Sequence, residues 1–258
     1  MNISFEKYQG TGNDFVMIDN REALFDVSTL PIAQICNRRF GIGADGLIVI
    51  ELLENLDFNM IYFNSDGSQS FCGNGSRCAV MFAKSLGIIG HTTHFLSTDG
   101  THFAEIEGDL VKLKMHDVLE AEYLGEDIVL NTGSPHFVRF CPSVSDIKII
   151  EEAHIIRYNN RFSEKGINVN FVGQNQNGIS IRTYERGVED ETLSCGTGVT
   201  AAAIANSLKL NLNDGFHRIP VISQGGNLTV EFTKSGNHFT EIYLIGPAKK
   251  TFSGLIEI

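Results

Sequence analysis

The chain has 258 residues, 42% hydrophobic and 20% charged, enough to bury a sizeable core in one or two domains at roughly 150 residues each. A net charge of −11 disfavours nucleic acid and anionic lipid as partners. No apolar run approaches the roughly 18 residues of a membrane span, and residues 1–10 lack the apolar stretch of a signal peptide, so a cytoplasmic protein is expected. The five cysteines include no C-x-x-C pair, which argues against a disulfide framework and a thiolate zinc site. Any important cysteine is therefore expected as a reduced thiol.

In chain order, β-rich patterns predict strands over 15–19, 47–52 and 60–63. A helix follows over 76–86, where Ala79, Val80, Phe82, Ala83 and Leu86 recur at helical spacing. A hairpin of 102–106 with 110–115 closes this stretch. The same order then returns: strands over 137–140, 169–172 and 179–183, a helix over 199–208, and a hairpin of 228–232 with 240–245. Ala202, Ala203, Ile204, Ala205 and Leu208 give the second helix its period. Both helices are apolar nearly all round, so each is expected to be wrapped by strands. A last strand over 255–258 is a candidate to return to the first half.

The repetition extends to motifs. Cys72-Gly73-Asn74-Gly75 matches Cys195-Gly196-Thr197-Gly198 at an offset of 123, and Gly43-Ala44-Asp45-Gly46 matches Gly166-Ile167-Asn168-Val169 at the same offset. Gly12-Asn13-Asp14-Phe15-Val16 corresponds to Gly133-Ser134-Pro135-His136-Phe137-Val138, and Ser97-Thr98-Asp99-Gly100 to Ser223-Gln224-Gly225-Gly226. The predicted fold is α+β: two pseudo-symmetric domains from an internal repeat, each of mixed or antiparallel strands around a central helix. Residues 1–116, with 250–258 if the last strand returns, carry Cys72, and residues 117–249 carry Cys195.

A cysteine just before a helix meets the positive end of the helix dipole and unpaired N–H groups, which favour the thiolate. Gly73, Gly75, Gly196 and Gly198 leave those N–H groups bare enough to hold a carboxylate. Two such thiols acting on one carbon form an acid/base pair able to invert a stereocentre. Cys36, Cys78 and Cys141 read as inert. His136 reads equally as a structural histidine. His91, His94 and His102 read as loop or strand-surface residues without metal-ligand spacing, and Glu189, Asp190 and Glu191 as an exposed turn. Arg186 beside Glu185 reads either as a solvated pair or as part of the site.

Gly12-Asn13-Asp14-Phe15, Phe63-Asn64-Ser65-Asp66-Gly67, Cys72-Gly73-Asn74-Gly75-Ser76-Arg77-Cys78, Tyr184-Glu185-Arg186-Gly187 and Cys195-Gly196-Thr197-Gly198 together resemble the signature segments of the diaminopimelate epimerases, over nearly the full chain. The resemblance implies a cofactor-independent epimerase, without metal, that interconverts LL- and meso-2,6-diaminopimelate for lysine and peptidoglycan precursor synthesis. It implies two domains with the site in the cleft between them, and Cys72 and Cys195 as the catalytic pair. Substrate contacts carry over to Asn13, Asn64, Gly73, Asn74, Asn168, Glu185, Arg186, Gly196 and Thr197, and modulation of the cysteine pKa values to His136 and Glu185. Arg186 suits bidentate grip of a distal carboxylate.

Two departures stand out: Ser134 where the family often has asparagine, and Gly46 where it often has glutamine. Serine keeps one hydrogen bond and glycine offers none, so neither joins the predicted site. The expected partner is a small-molecule substrate, with no nucleic acid and no membrane. A homodimer stays open, because the sequence is silent on oligomeric state. Competing readings are a proline- or histidine-type racemase using the same two-thiol chemistry, a thiol redox switch in which Cys72 and Cys195 pair, and a non-catalytic amino-acid-binding protein.

Overall fold

The computed structural model describes residues 2–257. Ile258, the end of the predicted last strand, and Met1 lie outside the described residues. The chain divides into two compact units, the first running to Leu113 and resuming at Gly246, the second spanning Lys114–Ile245.

The first unit contains β1 (Asn2–Gly10), β2 (Asn13–Asp19), α1 (Ile32–Cys36), β3 (Gly46–Leu53), β4 (Leu56–Asn64), α2 (Gly73–Ser85), β5 (Thr92–Ser97), β6 (Gly100–Glu107) and β7 (Leu110–Lys114). β2 pairs parallel with β3 and antiparallel with β1, β3 pairs antiparallel with β4, and β4 pairs parallel with β5, which leads into the β5–β6–β7 meander. β2 and β3 are buried on both faces. Val16, Ile18, Leu47 and Val49 pack with Ile32 and Ile35 of α1, while Phe15 and Ile48 lie under Gly75 in the first turn of α2.

The second unit contains β8 (Ala121–Leu124), β9 (Asp127–Asn131), β10 (Pro135–Phe140), α3 (Ile149–Arg157), β11 (Asn168–Asn175), β12 (Gly178–Glu185), β13 (Asp190–Thr192), α4 (Gly196–Lys209), β14 (Gly215–Ser223), β15 (Gly226–Ser235) and β16 (His238–Pro247). Its pairings reproduce those of the first. β10 runs parallel to β11 and antiparallel to β9, β11 antiparallel to β12, and β12 parallel to β14 before the β14–β15–β16 meander. Ile149, Ala153 and Ile156 of α3 pack on Phe137, Val169, Phe171 and Tyr184, as α1 packs in the first unit. The chain's last strand, β17 (Lys249–Glu257), pairs antiparallel with β1, as β8 pairs with β9. The outer neighbour of β1 thus comes from the far end of the chain, whereas β8 directly precedes β9.

α4 is buried from Gly196 to Leu208, and α2 over most of its length. Both helices begin three residues earlier than their apolar period predicts, because the glycines after each cysteine form the first turn. Both end on a left-handed residue. Gly87 (φ 74°) donates its N–H to the Lys84 carbonyl and Ile88 to that of Ala83, while Asn211 (φ 49°) and Leu212 close α4 on Leu208 and Ser207 in the same way. No helix among the described residues is long and apolar enough to cross a membrane.

Candidate functional site

In the first unit, Cys72 is the N-cap of α2, in extended conformation (φ −137°, ψ 107°), and its Sγ accepts the Gly75 N–H at 3.3 Å. The Cys72 thiol in turn donates to Asn13 Oδ1 at 3.6 Å, and Asn74 Nδ2 donates to the same oxygen at 3.3 Å. Asn13 is held from its other end, where Nδ2 donates to Asp45 Oδ2 at 2.7 Å. Asp45 is braced by Arg38, which also grips Asp14 through both guanidinium nitrogens, and the Lys7 ammonium lies 2.7 Å from Asp14. Burial alone would raise the Asp14 carboxyl, but Arg38 and Lys7 outweigh it and hold the pKa down to about 2.

Within α2, Arg77 is fully buried. It donates to Thr11 Oγ1 and, more weakly, to the Gly73 carbonyl at 3.4 Å. Asn64 forms a separate cluster at the end of β4, donating to Ser68 Oγ and Ser70 Oγ and accepting the Tyr62 hydroxyl at 2.8 Å. Tyr62 explains the departure at Gly46. A Cβ built there would lie 2.5 Å from the Tyr62 ring, so the ring occupies the space a side chain would need, and its hydroxyl aims at Asn64. Tyr62 was not among the expected site residues, although strand alternation places residues 62 and 64 on one face.

In the second unit, Cys195 is the N-cap of α4 and its Sγ lies 3.4 Å from Thr197 Oγ1. Thr197 Oγ1 also meets His136 Nε2 at 2.9 Å, and His136 Nδ1 meets Asn170 Nδ2 at 3.1 Å. Burial, with help from the Arg186 charge, pushes the His136 pKa down to about 3, so the imidazole is neutral at pH 7. Gly198 makes this packing feasible, since a Cβ there would sit 2.6 Å from Asn170 Oδ1.

Asn168 donates to Ser134 Oγ and the Pro135 carbonyl and accepts the Arg186 N–H at 2.9 Å, so Ser134 serves to hold Asn168. The exposed Arg186 guanidinium donates to the Lys165 carbonyl, its stem crossing Gly166, where a Cβ would lie 2.6 Å from Cδ. Glu185 accepts from the Thr192 hydroxyl, and Gly196 from Thr200.

Two expectations are corrected. Glu189 and Glu191 are not part of a solvated turn: Glu189 accepts from Arg157, Tyr158 and Tyr184, and Glu191 takes both sides of the Arg182 fork. These bonds anchor the loop that carries Arg186. His102 is not a surface residue. It is buried, stacks on Phe71 at 4.7 Å, and donates from Nε2 to Asp99 Oδ1 at 2.8 Å. Its apolar neighbours come from elsewhere in the unit and leave no local trace in the sequence. Cys78 and Cys36 do sit in the core, where burial raises their thiol pKa values, that of Cys36 to about 11.

The structure therefore gathers Asn13, Cys72, Gly73 and Asn74 in the first unit, with Asn64 in its own cluster. In the second it gathers His136, Cys195, Gly196 and Thr197, with Asn168 and Arg186 joined nearby. The diaminopimelate epimerase family model matches residues 5–120 and 128–251. The chain is 50% identical to the diaminopimelate epimerase of Flavobacterium psychrophilum, over 97% of this chain and 98% of that one. It is 41% identical to that of Chlorobaculum tepidum, over 96% and 99%. A phenazine biosynthesis protein of the PhzF family from Bacillus anthracis shares the fold with a TM-score of 0.78 at 13% identity, covering 100% of both chains. With matched cysteines at two repeated helix starts and relatives of this identity along its whole length, the chain belongs to the diaminopimelate epimerase family.

Proposed function

We propose that the protein epimerises LL-2,6-diaminopimelate to the meso form, in the cytoplasm and within lysine and peptidoglycan precursor synthesis; the relatives it resembles are named diaminopimelate epimerase. Residues 1–116 contribute one thiol and residues 117–249 the other. One sulfur, as thiolate, takes the proton from Cα; the electron pair left behind spreads into the adjacent carboxylate; the other sulfur, as thiol, returns a proton to the opposite face. The two sulfurs end with their protonation exchanged, so the same pair runs the reverse reaction. N–H groups of the first turns of α2 and α4, bared by Gly73, Gly75, Gly196 and Gly198, stabilise the charge developing on the substrate carboxylate. Arg186 binds the distal carboxylate, and Asn64 and Asn168 orient the distal ammonium. Paired thiols supply both acid and base, so no cofactor is invoked.

The observation that carries this reading is the matched placement of Cys72 and Cys195 as N-caps of the two buried repeat helices. The test is deuterium incorporation at Cα of diaminopimelate in heavy water, with purified protein and no added cofactor. Exchange accompanied by stereoisomer interconversion is expected. Exchange with proline or histidine but not with diaminopimelate would move the protein to another racemase specificity. Exchange with none of them, together with a reducible Cys72–Cys195 disulfide, would make it a redox switch.

A further inference from the structure

The second unit contains a hydrogen-bond chain whose direction is fixed from one end to the other. It starts at the Phe137 carbonyl, which can only accept. Asn170 Nδ2 lies 3.0 Å from that carbonyl, so this side of the Asn170 amide is the nitrogen, and Oδ1 faces Thr183, whose hydroxyl donates to it at 3.0 Å. The second Asn170 N–H points at His136 Nδ1, which must then be the accepting nitrogen. A neutral imidazole with an accepting Nδ1 carries its proton on Nε2. That proton is donated to Thr197 Oγ1 at 2.9 Å, which leaves the Thr197 hydroxyl hydrogen for its other polar neighbour, Cys195 Sγ at 3.4 Å.

The first unit sets the opposite polarity. Asp45 and Arg38 pin the Asn13 amide with its nitrogen turned away, so its oxygen faces Cys72 Sγ and accepts the S–H. An oxygen in that place favours a thiol, and a donated hydroxyl in the other favours a thiolate.

We infer that the resting enzyme holds Cys195 as the thiolate and Cys72 as the thiol, and that Asn170 is a positioning residue that sets this through the tautomer of His136. The inference deepens the two-thiol reading and rests on it for its catalytic meaning, not for its geometry. His136 on this account is no proton carrier; it passes on a direction. Among the charged and titratable groups near His136 is Arg186, whose charge helps keep the imidazole neutral. Around Cys72 they are Asp14, Asp45, Lys7 and Arg38, acting through Asn13, and Arg77 and Cys78 on α2. Arg77 and the Gly75 N–H make the Cys72 thiolate accessible in the half-reaction where the roles exchange.

The test is site-resolved alkylation by iodoacetamide against pH, since the thiolate is the reacting form. Each sulfur is read alone, Cys195 in Cys72→Ser and Cys72 in Cys195→Ser, which removes coupled titration. The midpoint for Cys195 is expected at least about one pH unit below that for Cys72, a tenfold difference in thiolate fraction. Adding Asn170→Asp places an acceptor against His136 Nδ1, reverses the tautomer and takes the hydroxyl from Cys195, so the Cys195 midpoint rises while that of Cys72 stays. If that variant does not fold, ¹⁵N NMR of the otherwise unmodified protein, assigned with His136→Gln, reads the tautomer directly; Nε2–H is expected. Equal or reversed midpoints, or an Nδ1–H imidazole, overturn the inference. Loss of the epimerase reading alone, with no Cα exchange from diaminopimelate, leaves the order of midpoints as predicted.

Discussion

Beneath the first turn of α2 the strands present Phe15 and Ile48; beneath the first turn of α4 they present His136 and Asn170. Within α2, Arg77 is fully buried, while the matching place in α4 is Thr200, whose hydroxyl returns to the Gly196 carbonyl of its own helix. The strand pairings, the helix position and the cysteine N-cap are shared. The repeat therefore fixes where each sulfur stands, and the side chains below it decide how its charge is managed. The first unit uses an apolar floor, a buried cation and an amide oxygen. The second uses a polar relay with its charge kept neutral.

The largest effects should come from the feature the units share. Cys72→Ser and Cys195→Ser should each lower kcat/KM for epimerisation by at least about 100-fold, because an alcohol still donates a proton but is a very poor base. Equal, near-complete loss from both places the two units on the same footing. A variant retaining full activity would remove its unit from the chemistry.

Next comes a feature of the second unit alone. Arg186→Lys keeps the charge but loses the planar fork, at a cost of at least about 1.5 kcal/mol of transition-state stabilisation, roughly tenfold in kcat/KM. Unchanged kinetics would take Arg186 out of the site.

Acid should separate the units. His136 has a folded pKa of about 3 against 6.5 when exposed, so between those values the unfolded chain binds the extra proton and stability falls as pH falls. Asp14, at about 2 against 3.8, contributes stability that is lost only as pH drops through that lower window. Hydrogen exchange followed by peptide should show β10 and β11 losing protection near pH 5, with β1 and β2 still protected. His136→Gln should flatten the dependence of the second unit. Simultaneous loss in both units would contradict the assignment.

The smallest expected effect sharpens the account of the first unit. Tyr62→Phe removes the hydroxyl that orients Asn64 and should raise KM by roughly fivefold, about 1 kcal/mol, with little change in kcat. Gly46→Gln should destabilise by about 1–3 kcal/mol against the Tyr62 ring, and adding Tyr62→Val should recover part of that loss. Chemical denaturation of the two variants checks it.

Much of this was legible in the sequence. Apolar spacing located α2 and α4, alternation located both late hairpins, and the cysteine–glycine repeat located the two sulfurs. β1 was missed because its burial alternates around charged Lys7, which is buried on Asp14 instead of exposed. α3 was missed although Ile149, Ala153 and Ile156 carry a helical period, because nine residues show it over only two turns. Asn170, Glu189 and the packing of the Tyr62 ring on Gly46 were illegible for a different reason. Their meaning lies in partners from other strands and loops: Gly46 for the Tyr62 ring, Phe137 and His136 for Asn170, Arg157 for Glu189. No local pattern marks an amide whose orientation is set by a carbonyl more than thirty residues away.

The central claim, one thiol from each unit acting on opposite faces of one carbon, is tested most directly by Cα–H exchange measured separately from LL- and meso-diaminopimelate in Cys72→Ser and Cys195→Ser. Each variant should be more damaged in abstraction from one stereoisomer, and the two should be damaged toward opposite ones. Loss of exchange from the same stereoisomer in both variants would contradict the account.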